Sequence, residues 1–126
     1  MEKLIISASD DTPGVILNKD ANQFEFSGKS LPEDVNSFYG PILKWIEAYG
    51  TEANATTDFT FKLTYFNTAS SKVLLDILMK LEDIKNAGKT INIKWMYPSD
   101  DEDMLEAGKE YADLVELTFD FLPYNR

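Results

Sequence analysis

Five small residues, Asn67-Thr68-Ala69-Ser70-Ser71, hold the densest chemistry in the chain: four are polar and three of those carry hydroxyls. They follow a strand-like segment and precede a helix-like one. Free N–H groups and the positive end of a helix dipole therefore meet at this point. An anion, or a hydroxyl bearing a phosphoryl group, is well accommodated there. The same residue types are ordinary helix N-caps, and a cap accounts for only one or two of them. Two readings stand side by side: a modifiable regulatory site, or a capped helix and nothing more.

The flanking segments are clear. Phe59, Phe61, Leu63 and Tyr65 alternate with Asp58, Thr60, Lys62 and Thr64, the period-2 pattern of a half-buried strand. From Lys72 to Gly88 the period becomes helical, with Val73, Leu74, Ile77, Leu78, Leu81 and Ile84 on one broad face. Gly88, after Lys85 and Asn86, marks the stop. Leu75 and Met79 fall off the core stripe, beside Lys72, Asp76 and Asp83. Apolar residues exposed near a modification site suggest a docking patch; a neighbouring helix or loop covering them is the other reading.

Before this unit, Leu4-Ile5-Ile6, Val15-Ile16-Leu17 and Phe24-Glu25-Phe26 are short strands separated by polar turns, with Gly28 closing the third. They read as a hairpin or meander. Ser30-Leu-Pro32-Glu33 has the form of a capping box, and behind it Phe38, Ile42, Trp45, Ile46 and Tyr49 fall at helical spacing. Gly40-Pro41 predicts a kink or a new start. Trp45 reads as core. Beyond Gly88, Ile91, Ile93 and Trp95 alternate with Asn92, Lys94 and Met96, and Ser99-Asp-Asp-Glu102 again resembles a capping box. A third helix has Met104, Leu105, Gly108, Tyr111 and Ala112 inward. Val115, Leu117, Phe119 and Phe121 then alternate as a last strand. The expected fold is a single α/β domain over residues 1–126. Its sheet is mixed and mostly parallel, with helices mainly on one face, because almost every strand has only one apolar side.

Composition removes many functions. The sequence contains neither cysteine nor histidine. Disulfides, thiolate metal sites, the commonest zinc ligands and the commonest general base are therefore missing. A net charge of −10 repels nucleic-acid phosphates and anionic membranes but suits basic protein surfaces. The first apolar run is too short for a signal peptide, and no segment reaches membrane-spanning length, so a cytoplasmic location is expected. Asp10, Asp11 and Glu33 offer no convergent acid–base pair, and no cofactor motif is present. The run Asp100–Asp103 reads as a helix N-terminus in preference to a cation site.

The strand, hydroxyl-rich junction, helix, Ala-Gly-Lys turn and following strand resemble the STAS domains of anti-sigma-factor antagonists. A closer resemblance is to SiaC-type regulatory phosphoproteins. It is carried by Gly28-Lys-Ser30-Leu-Pro32-Glu33, the Trp45 helix, Tyr65-Phe66-Asn67-Thr68-Ala69-Ser70, the helix to Glu82 and Ile93-Lys94-Trp95-Met96-Tyr97. Together these extend over most of the chain. The resemblance implies a partner-switching module whose phosphoacceptor is, by position, Thr68. In that family a dedicated kinase phosphorylates this Thr and a PP2C-type phosphatase frees it. The unphosphorylated form binds and activates a diguanylate cyclase. Ala69 departs mildly from the expected pattern and leaves Ser70 and Ser71 as secondary acceptors. The expected partner-binding surface comprises Asn67, Ser70, Ser71, Lys72, Leu75 and Met79, with no catalytic, cofactor or metal residue. A constitutive scaffold or subunit, in which the hydroxyl run is only a cap, is the alternative.

Overall fold

A computed structural model describes residues 1–126. Three short antiparallel strands come first: β1 (Leu4–Ile6), β2 (Gly14–Asn18) and β3 (Gln23–Ser30). Then helices and strands alternate: α1 (Val35–Gly50), β4 (Thr56–Phe66), α2 (Thr68–Asn86), β5 (Thr90–Pro98), α3 (Glu102–Leu114) and β6 (Thr118–Tyr124). The six strands lie in chain order across one sheet, and β3 to β6 are parallel. Each parallel step needs a crossover, and crossovers of one hand along a sheet built in one direction bring their helices to the same face. That face carries Val15, Leu17, Phe24, Phe26, Phe59, Phe61, Ile93 and Trp95, all buried in one core with Ile42, Ile46, Leu74, Ile77 and Leu78 from the helices. The other face presents Glu25, Thr60, Lys62, Asn92 and Lys94, none of them buried. All six residues expected on the inner stripe of α2 are buried.

Both expected capping boxes are displaced. Ser30 is the last residue of β3 and fully buried, and α1 is capped by Asp34, whose carboxylate accepts from the backbone N–H groups of Asn36 and Ser37 at 3.1 Å each. Those bonds, led by the one from Ser37, hold the Asp34 carboxyl below its ordinary range. At α3 the cap is Asp101, bonded to Met104 N–H at 3.0 Å, while the Ser99 hydroxyl donates to Asn125. Asp in each case stands nearer the first helical residue than the Ser it replaces.

Pro41 neither breaks nor restarts α1, which runs unbroken from Val35 to Gly50 with the proline exposed. The carbonyl deprived of its donor is that of Ser37, an exposed residue that water can serve. The inner face of α1 includes Tyr39, whereas Trp45 is half-buried, stacked on Tyr49 at 5.4 Å and donating to the Glu2 carbonyl. Val115 is the C-cap of α3, so the last strand starts at Thr118.

One difference bears on the site. The β3–β4 register shifts between Gly28 and Lys29: Gly28 faces Leu63, but Lys29 faces Tyr65 and Ser30 faces Phe66. One extra residue in β4 reverses its alternation from that point. Tyr65, expected inward with Leu63, is instead 53% exposed. Phe66 turns in, against Trp95 and Tyr111. Gly28 takes a positive φ of 91° at this irregularity, a conformation that suits glycine.

Candidate functional site at the start of the second helix

The carboxyl-end edge of the parallel strands is where β4 passes into α2. Asn67 is the N-cap: its side-chain oxygen accepts from Ser70 N–H at 2.8 Å and its carbonyl from Ser71 N–H at 2.9 Å. Thr68 is the first helical residue and is exposed, as is Ala69. Helix geometry leaves the N–H groups of both without intrahelical acceptors. The three hydroxyls of the run have different fates. Ser70 Oγ points inward, fully buried, donating to the Ser30 carbonyl at 3.0 Å and accepting from Ser30 Oγ at 2.8 Å. Ser71 Oγ turns back on the Thr68 carbonyl at 2.7 Å. The Thr68 hydroxyl alone has neither burial nor a protein partner.

The expected surface is corrected at one residue. Ser70 cannot touch a docked protein or accept a group from solvent in this conformation, because its side chain is sealed beneath the helix start. Asn67 and Ser71 are half-buried and Lys72 is exposed. Leu75 lies half-buried in a trough between α2 and α3, together with Phe66, Lys72, Tyr111 and Leu114. Met79 is 49% exposed further along α2 and outside that trough. The neighbouring helix therefore covers Leu75 in part and leaves Met79 free.

Two residues of this surface escape a reading by periodicity. Leu114, 65% exposed, forms the far wall of the trough. Tyr65 lines an adjoining hollow with Phe66, Asp103, Met104 and Ala107. Its signal would have been the register shift, which one strand's pattern does not contain. Tyr111 closes the trough floor, and its hydroxyl donates to the Ser71 carbonyl at 2.7 Å. Burial pushes the Tyr111 phenol well above its ordinary range, with Tyr39 and Glu110 adding to the effect, so it remains a donor.

Asp10, Asp11 and Glu33 are all exposed on loops. In the acidic run, Asp101 is occupied as a cap and Asp100 pairs with Arg126 at 3.3 Å. No group of three carboxylates is placed to hold a metal ion. No helix is long and apolar enough to cross a membrane.

The start of α2 thus carries an exposed hydroxyl with no protein partner, beside a largely apolar trough. The family model described as SiaC family regulatory phosphoprotein matches residues 6–124, and the chain belongs to that family. An uncharacterized protein of Pseudomonas aeruginosa is 26% identical over 119 residues, with 94% of each chain covered. The crystal structure of apo-SiaC from P. aeruginosa superposes with a TM-score of 0.88 at 25% identity, covering 97% of this chain and 99% of that one. A second structure, of the P. aeruginosa diguanylate cyclase SiaD in complex with its activator SiaC, matches with a TM-score of 0.90 at 25% identity over 96% of this chain and 99% of that one. The family's work is regulation, and the chain is not an enzyme.

Proposed function

We propose that residues 1–126 act as one cytoplasmic partner-switching domain, controlled by reversible phosphorylation of Thr68. The unphosphorylated form binds and activates a diguanylate cyclase, and phosphorylation prevents it. A protein kinase and a PP2C-type phosphatase set the balance. The observation that carries the choice of residue is the sorting of hydroxyls: Ser70 is buried and bonded, Ser71 is folded onto the backbone, and Thr68 is exposed and free. What supports the output is family membership and the existence of an activator–cyclase complex for a relative of nearly the same fold.

The physics favours interference over refolding. A phosphoryl group adds a charge of about −1.5 to −2 and three acceptor oxygens. The unpaired N–H groups of Thr68 and Ala69 and the helix dipole accommodate it, with Lys72 one turn on. A partner seated over Lys72, Leu75, the trough and Met79 would instead meet a bulky, added negative group on a protein of net charge −10. Loss of about 3 kcal/mol at that contact lowers affinity by roughly a hundredfold.

The test is a homogeneous phospho-Thr68 protein, titrated against a purified diguanylate cyclase of the SiaD type alongside the unmodified protein. Binding and cyclase stimulation are expected from the unmodified form only. Equal affinity of the two forms would refute the switch.

A further inference from the structure

Beneath Thr68 lies a chain of buried hydroxyls that connects three elements. Ser30 (end of β3), Tyr39 (α1) and Ser70 (α2) are each fully buried. Ser30 Oγ lies 2.5 Å from the Tyr39 hydroxyl and 2.8 Å from Ser70 Oγ, and Ser70 Oγ lies 3.0 Å from the Ser30 carbonyl. Each hydroxyl has a single hydrogen to give. Ser70 must give its hydrogen to the carbonyl, which can only accept. Ser30 Oγ then gives its own to Ser70, and Tyr39 gives its own to Ser30. The direction is forced, and no buried side-chain polar atom is left unpaired. The same Ser30 carbonyl also accepts from Asn67 N–H at 3.2 Å, so the N-cap itself is tied to the chain's end point. Across the turn, Tyr111 in α3 holds the Ser71 carbonyl.

We infer that Ser30, Tyr39 and Ser70 form a latch that fixes the first turn of α2 in one conformation, making Ser70 a positioning residue for Thr68. The idea rests on the reading of Thr68 as the modified residue. The latch holds the acceptor hydroxyl out to solvent while the rest of the turn stays bonded. It also holds in the phosphorylated form, so modification changes the charge presented to a partner and leaves the shape of the turn alone. Removing a donor from a closed buried chain strands its neighbour without a partner, and the loss falls on the first turn before the rest of α2.

Amide hydrogen exchange on the unmodified protein tests the latch apart from any kinase or partner. In Ser70→Ala, exchange at Asn67, Ser70 and Ser71 is expected to quicken by about tenfold or more relative to the native chain, with Leu78 to Ile84 unchanged. Unchanged rates at the first turn, or a uniform change along α2, would overturn the proposal. If Ser70→Ala does not fold, Tyr39→Phe carries the test: it removes one hydroxyl and should quicken the same amides by a smaller factor, about threefold, and no local change would overturn the latch. Phospho-Thr68 protein should exchange at Ser70 and Ser71 at the native rate; a local loss of protection would overturn its persistence on modification. If Thr68 is never modified in cells, the variant results stand unaffected, so failure of the latch and failure of the switch are separable.

Discussion

At the residue scale, the site turns on which hydroxyl is free. Thr68 contributes little to the fold: it is exposed and its side chain bonds to nothing, so Thr68→Ala should change unfolding free energy by no more than about 0.5 kcal/mol. Denaturant unfolding checks this, and a large loss would show that the Thr68 side chain helps to hold the fold. Tyr39 is the opposite case. Burial raises its phenol above the ordinary 10.0, outweighing the opposing influence of the neighbouring Ser30 hydroxyl. A group whose folded value is raised contributes stability that is complete below the unfolded value and lost as pH climbs through the folded one. The protein should thus weaken as pH rises above about 10. Tyr39→Phe should show a shallower alkaline decline in melting temperature than the native chain, although Tyr111 retains part of the effect.

At the scale of elements, two close fits decide what surrounds Thr68. The first is α3 over β5. A Cβ on Gly108 would lie 2.6 Å from Trp95 Cδ1 and Nε1, and the Trp95 indole donates to the Met104 carbonyl at 2.9 Å. Gly108→Ala therefore has to push α3 off the sheet, at a cost of about 1–3 kcal/mol. Denaturant unfolding with tryptophan emission would register both the loss and the disturbed indole. Since α3 supplies Tyr111 and Leu114, the trough should widen with it. The second is the extra residue in β4, which turns Tyr65 out and Phe66 in. Tyr65→Ala should leave stability within about 0.5 kcal/mol yet weaken the proposed cyclase binding by roughly tenfold, as expected of an exposed aromatic in an interface. Unchanged affinity would place the partner elsewhere on the molecule.

At the scale of the whole molecule, charge is the dominant property. A net charge of −10 on 126 residues makes the folded state repel itself. Raising ionic strength from about 0.01 M to 0.15 M shortens the Debye length from about 30 to 8 Å. The melting temperature should rise across that range, and a fall would mean that the few ion pairs outweigh the general repulsion. The proposed phosphorylation of Thr68 would deepen the negative field, so that its effect on a partner would be felt before contact as well as at it.

Features set by neighbours in the chain could be read from residue types alone. Period-2 alternation marked β4 and β5, helical period marked the buried stripe of α2, and the polar run at 67–71 marked the helix start, because each pattern is completed within a few residues. The mostly parallel character of the sheet followed from the alternation of its later strands with helices, and one apolar side per strand was enough to put the helices on one face; the order of the strands across the sheet did not follow from the sequence. Distant contacts were not legible. Ser70 is buried because Ser30, forty positions away, waits beneath it. Tyr65 is exposed because β3 and β4 differ by one residue between Gly28 and Lys29, a mismatch that neither strand's own pattern contains. A hydroxyl's type states that it can form a hydrogen bond; its place in the tertiary structure states whether a partner is there to meet it.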